Sequence, residues 1–169
     1  MTIAATILRQ PATRLDPRLL LLPVVAVSTL VGAALARRIA SGLPLLPSEH
    51  SAWLALHLVS VIPALPLGAF ILWRRKGGRL HRMLGRVWAG LMLLTALSSF
   101  GLHGMTGRLS WIHILAVVVL VTVPRGIVQA MRGDIARHKR SMTLTYAGLI
   151  AAGGFTFLPG RLLGTWLFG

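Results

Sequence analysis

Hydrophobic residues fall into five long runs, and polar residues gather in the short stretches between them. The runs cover about Leu19 to Ala36, Ala52 to Trp73, Met83 to His103, Trp111 to Met131 and Met142 to Leu158. Each reaches or approaches the roughly 20 residues that carry a helix across a bilayer. Backbone exposed to lipid must satisfy its own hydrogen bonds, and uninterrupted apolar runs do so as helices. The expected fold is an all-α membrane protein with five transmembrane helices. Residues 1–18 form a cytoplasmic N-terminal segment, and 19–50 an extra N-terminal helix with its outer loop. Residues 51–158 form a four-helix membrane core, and 159–169 an outer C-terminal tail that opens with Pro159.

Charge sharpens this picture. Only 12% of residues are charged, about half the roughly 25% of a soluble domain, and the mean hydropathy is +0.76. The net charge of +15 would suit nucleic acid on a soluble surface. Here the cations lie in loops between apolar runs, as membrane topology signals do, and no soluble basic domain remains to grip DNA. Arg74, Arg75, Lys76, Arg79, Arg82 and Arg86 separate runs two and three, and Arg132, Arg137, Lys139 and Arg140 separate runs four and five. Arg9, Arg14 and Arg18 precede run one. The other side has only Arg37, Arg38, Arg108 and Arg161. The positive-inside rule then puts the N-terminus in the cytoplasm and the C-terminus outside. Trp53 and Trp111 mark the outer interface, Trp73 and Trp88 the inner one. The first run begins late and ends at Arg37-Arg38 without a small-residue cleavage site, so it is expected to stay as a span. With no cysteine, disulfides, thiolate clusters and covalently attached haem are ruled out.

Runs two and three resemble runs four and five. Each pair opens with a histidine near its outer end (His57, His113) and carries proline in mid-span (Pro63 and Pro66, Pro124). Each then passes through a basic turn with glycine to a second histidine (His81, His138). His57 and His81 lie 24 positions apart, His113 and His138 25. Both pairs cross the membrane in the same sense, as parallel helix-hairpin repeats about an axis along the membrane normal. His57 and His113 thus share one depth, and His81 and His138 another. Run one lies outside the repeat, and its Ser28, Gly32 and Ala36 form a stripe suited to close packing on the core or on another protein.

An ionisable group inside a membrane points to function, although a neutral imidazole also hydrogen-bonds between helices. Two imidazoles at one depth on parallel helices are what the axial positions of one haem iron require. The pairs His57/His113 and His81/His138 are therefore candidate ligands for one or two molecules of haem b. For His81 and His138 the competing role is facing lipid headgroups among the neighbouring cations. His50 and His103 read as solvated loop residues. Arg125 lies six residues before the inner end of run four, roughly 9 Å along the helix. The only acids are Asp16, Glu49 and Asp134, so Arg125 either snorkels to lipid phosphate or pairs with a carboxylate from outside the chain, such as a haem propionate. No phosphate-binding loop, nucleophile–base pair or carboxylate dyad is present, and an acid-based proton relay is poorly supported.

HRMLGRVWAG from His81, the Gly133-Asp134 pair and RHKRSMTLTYAG from Arg137 resemble a family of predicted bacterial membrane proteins of unknown function. The likeness runs from about Ser51 to Leu158 and implies a multi-pass protein of the bacterial inner membrane, with the C-terminus in the periplasm. A looser resemblance is to the two-haem transmembrane cytochromes b. That group holds one haem between the first and third core helices and the other between the second and fourth. The resemblance implies an outer haem on His57 and His113 and an inner one on His81 and His138, here with shorter intervals and an inner pair nearer the charged surface. The leading expectation is an electron-relaying cytochrome b-like protein with an unnamed redox partner. The competing one is a non-catalytic subunit of a larger membrane complex, with membrane lipids as further contacts. A transporter or small channel comes third.

Overall fold

The computed structural model describes residues 21–44, 51–102, 111–158 and 161–168. The expected features at Arg9, Arg14, Arg18, His50, His103 and Arg108, and the Trp111 side chain, lie outside what is described. Six helices and no strands occur among the described residues: α1 (Leu21–Ala40), α2 (Ser51–Trp73), α3 (Arg79–Phe100), α4 (Trp111–Met131), α5 (Ile135–Phe155) and α6 (Leu162–Phe168). Four of them, α1 to α4, are long and apolar enough to cross a membrane. α5 is as long as α4, but Arg137, Lys139 and Arg140 occupy its first turns and lower its hydropathy.

The two basic turns are shorter than the hydropathy pattern suggests, because helices start inside the charged stretches. α3 begins at Arg79 rather than near Met83, and α5 at Ile135 rather than near Met142. The α5 start has a local cause. Asp134 caps the helix by accepting from the Arg137 amide at 3.1 Å, and its carboxylate also pairs with the Arg137 guanidinium at 3.4 Å. Just before it, α4 ends on Gly133 at φ 78°, with Gly133 N–H bonding Ala130 O and Asp134 N–H bonding Gln129 O. That pattern needs a left-handed residue, which glycine supplies. Gly77, at φ 90°, is the left-handed residue of the turn between α2 and α3. All ten cations of the two turns are exposed.

α2 packs on α3, α3 on α4, α4 on α5 and α5 on α2, which closes a four-helix ring. Its centre is filled by Trp88, Met92, Val123 and Tyr146. Trp88 and Tyr146 meet edge to face, with centroids 6.2 Å apart. Both donate to α2 carbonyls: Trp88 Nε1 to Ala64 O at 3.1 Å and Tyr146 Oη to Leu65 O at 2.6 Å. These acceptors lie between Pro63 and Pro66, where α2 loses amide donors and its ladder is weakened. Gly68 lets both rings approach, since a Cβ there would overlap the Tyr146 ring and stand 2.8 Å from Trp88 Nε1.

α1 leans on α2, α5 and α6 through Val24, Val27, Val31 and Ala34, the helical spacing of one face. The small-residue stripe does not supply that face: Gly32 and Ala36 are exposed. The expected tail is folded over 161–168. Its α6 buries Leu163, Gly164 and Trp166, and the Arg38 guanidinium of α1 sits 5.6 Å from the Trp166 ring centroid. The outer surface is apolar: Leu22 is 81%, Val59 71% and Ile114 66% exposed. Such a continuous apolar surface suits hydrocarbon rather than water.

Candidate cofactor site

His57 of α2 and His113 of α4 line one cavity of about 350 Å³ at the end of the bundle away from the basic turns. The volume falls within the roughly 300–1,000 Å³ typical of ligand pockets. All six helices contribute walls, which are mostly aliphatic, for example Val31, Ile62, Met92 and Val119. Among the described residues the polar lining is sparse: the two imidazoles, Thr95, Ser99, Thr156 and one cation, Arg161.

A hydrogen bond to α3 orients His57. Its Nδ1 lies 3.1 Å from Ser98 Oγ. The Ser98 hydroxyl also lies 3.0 Å from Thr95 O, and when its proton goes to that carbonyl it accepts from Nδ1–H and leaves the Nε2 lone pair free. The network continues inward. Thr95 Oγ1 donates to Ser60 Oγ at 2.9 Å, and the one hydroxyl proton of Ser60 is shared between Leu56 O and His57 O, each 2.9 Å from Oγ. Both Ser60 and Ser98 are fully buried, so this α2–α3 contact is dry and its donors are used. His113 is buried on α4, its ring tilted 45° against Phe100 with centroids 5.7 Å apart.

His81 and His138 sit at the other end, in the first turns of α3 and α5, within electrostatic reach of each other. His138 Nδ1 lies 2.8 Å from Gly126 O of α4. A carbonyl only accepts, so Nδ1 holds the proton here and Nε2 is left basic. His81 Nδ1 is buried without a hydrogen-bond partner among the described residues. Neither residue lines the outer cavity, and the layer of Trp88, Met92 and Tyr146 stands between the two ends.

The structure thus brings His57 together with His113, and His81 together with His138. Arg125 is exposed on α4 and is not among the described residues that line the outer cavity. Sequence reasoning missed Ser98, 41 positions from its imidazole, and Arg161, which it counted only as an outer charge. An SS pair at Ser98-Ser99 inside an apolar run was the one available signal. No group of three or more His, Cys, Asp or Glu that could hold a bare metal ion occurs among the described residues.

Residues 54–162 match the model of a family described as Predicted membrane protein (DUF2306). No curated protein and no solved structure matches the chain.

Proposed function

Because the chain belongs to this family of membrane proteins, whose description assigns no activity, we propose on the geometry that it is a cytochrome b-like electron relay. Its outer haem b lies between His57 and His113. One observation carries this reading: two imidazoles from non-adjacent helices open onto a single apolar cavity, and one is oriented by a hydrogen bond with Ser98. A ligating histidine characteristically gives its other ring N–H to a neighbouring acceptor, the role that Ser98 can take toward His57. When bound, haem b supplies one-electron redox chemistry. The chain's own part would be to hold the iron through His57 and His113, which favours electron relay over oxygen activation, and to keep water from the group with aliphatic walls.

The pairing of His138 Nδ1 with Gly126 O supports a second haem between His81 and His138. The ten exposed cations of the two turns support a cytoplasmic face at that end of a bacterial inner-membrane protein. α5 is the fifth span: its residues from Met142 onward are nearly free of charge and its Thr143, Thr145 and Tyr146 face is buried in the ring. The matched glycine turns at Gly77 and Gly133 support two parallel hairpin repeats.

A second reading, an accessory subunit of a larger complex, is favoured by Gly32. A Cβ there meets nothing within 4 Å, so the exposed small-residue face of α1 is free to seat another helix. Haem stoichiometry tests the first reading. Two haems per chain are expected, falling to one in His113→Ala and, separately, to one in His138→Ala. A stoichiometry of zero leaves the accessory subunit.

A further inference from the structure

Arg161 is the one charged residue among the described residues that line the outer cavity. It is half-buried, and its guanidinium makes no hydrogen bond or ion pair with any described residue. Its position is fixed by the chain around it. Arg161 N–H bonds Leu158 O at 3.1 Å, Arg161 O accepts from Thr165 N–H at 2.9 Å, and Gly164 N–H ties α6 to Thr156 O at 3.1 Å. α6 is in turn clamped on α1 by Trp166 beneath Arg38. The cation is therefore held at the cavity by packing that has no evident purpose in topology, since the outer face is the one poor in positive charge.

A guanidinium over an aliphatic cavity selects a ligand with an apolar body and an anionic end, and its planar donor fork matches a carboxylate. The only acid among the described residues, Asp134, is capping α5 in the turn that follows Gly133. We infer that Arg161 is the carboxylate-recognition residue of the outer cavity. Resting on the haem reading, the carboxylate is a propionate of the outer haem. The same chemistry would accept a fatty-acid carboxylate drawn from the membrane, and the two sources separate by experiment.

The haem-free full-length protein in nanodiscs is titrated with haemin and with haemin dimethyl ester, in which both carboxylates are masked. Wild type binds haemin roughly tenfold more tightly than the ester, the value of one charge-assisted hydrogen bond. Arg161→Gln binds the two alike, while Arg161→Lys keeps a reduced preference. Helical circular dichroism checks that each variant is folded. The same comparison is run with cis-parinaric acid and its methyl ester by fluorescence. If wild type binds neither haemin nor its ester but discriminates the fatty acid through Arg161, the haem reading falls and the carboxylate role stands with a lipid source. If neither ligand pair shows discrimination that depends on Arg161, the inference is overturned.

Discussion

The hydroxyl of Tyr146 on α5 donates to the carbonyl of Leu65 on α2 at 2.6 Å, joining residues 81 positions apart across the middle of the bundle. This bond closes the ring of four helices where direct α2–α5 packing is thinnest, and it caps a carbonyl in the proline-weakened part of α2. Tyr146→Phe should keep the ring packing and lose the bond, at about 1 kcal/mol, as for interhelical hydrogen bonds in membranes. Gly68→Ala should cost more, about 1–3 kcal/mol, because the new methyl would displace the Tyr146 ring. Unfolding in mixed detergent micelles checks the order. Equal stability of Gly68→Ala and wild type would contradict the packing described.

Ser98 should act on the haem through His57. Removing its hydroxyl in Ser98→Ala takes away the hydrogen-bond partner of His57 Nδ1 and frees the imidazole to rotate or change tautomer. Loss of such a supporting partner typically weakens metal binding 10- to 100-fold. Ser141→Ala removes a comparable hydroxyl, bonded to Gln129 between α4 and α5, and should leave binding at His57 and His113 unchanged. Apoprotein titration followed by absorbance distinguishes the two variants. Equal affinities would remove Ser98 from the site.

Much of the architecture could be read in the chain because the bilayer imposes a length and a composition on its helices. α2 and α4 fall within a residue of their apolar runs, and the matched positions of His57 and His113 followed from topology alone. The starts of α3 and α5 were hidden, since Arg79, Arg82, Arg137 and Lys139 look like loop residues. Only the Asp134 cap and the Gly77 and Gly133 turns show why the helices extend through them. α6 was hidden for a different reason: seven residues carry too little periodicity, and its helix exists because Leu163 and Trp166 find α1. The direction of Arg125 and the arrival of Arg161 at the cavity depend on helix rotation and chain return, which no local pattern encodes.

Sidedness can be tested cleanly because the chain has no cysteine to interfere. Lys76→Cys and Arg132→Cys, in the two basic turns, should react with a membrane-impermeant maleimide only after the inner membrane is opened. Ser41→Cys, just beyond α1, and Thr165→Cys, on α6, should react from the periplasm. Reaction of Thr165→Cys on the same side as Arg132→Cys would mean that α5 does not cross.

Tyr146, Ser98 and the turns all serve one claim, that His57 and His113 share an iron. The reduced-minus-oxidised visible spectrum of the detergent-purified protein, expressed with adequate haem supply, addresses it most directly. The account predicts sharp α and Soret bands, with the outer component lost in His57→Ala and in His113→Ala while both variants remain helical. A folded wild-type protein with no haem bands, or bands that persist unchanged when both His57 and His113 are replaced, would contradict it.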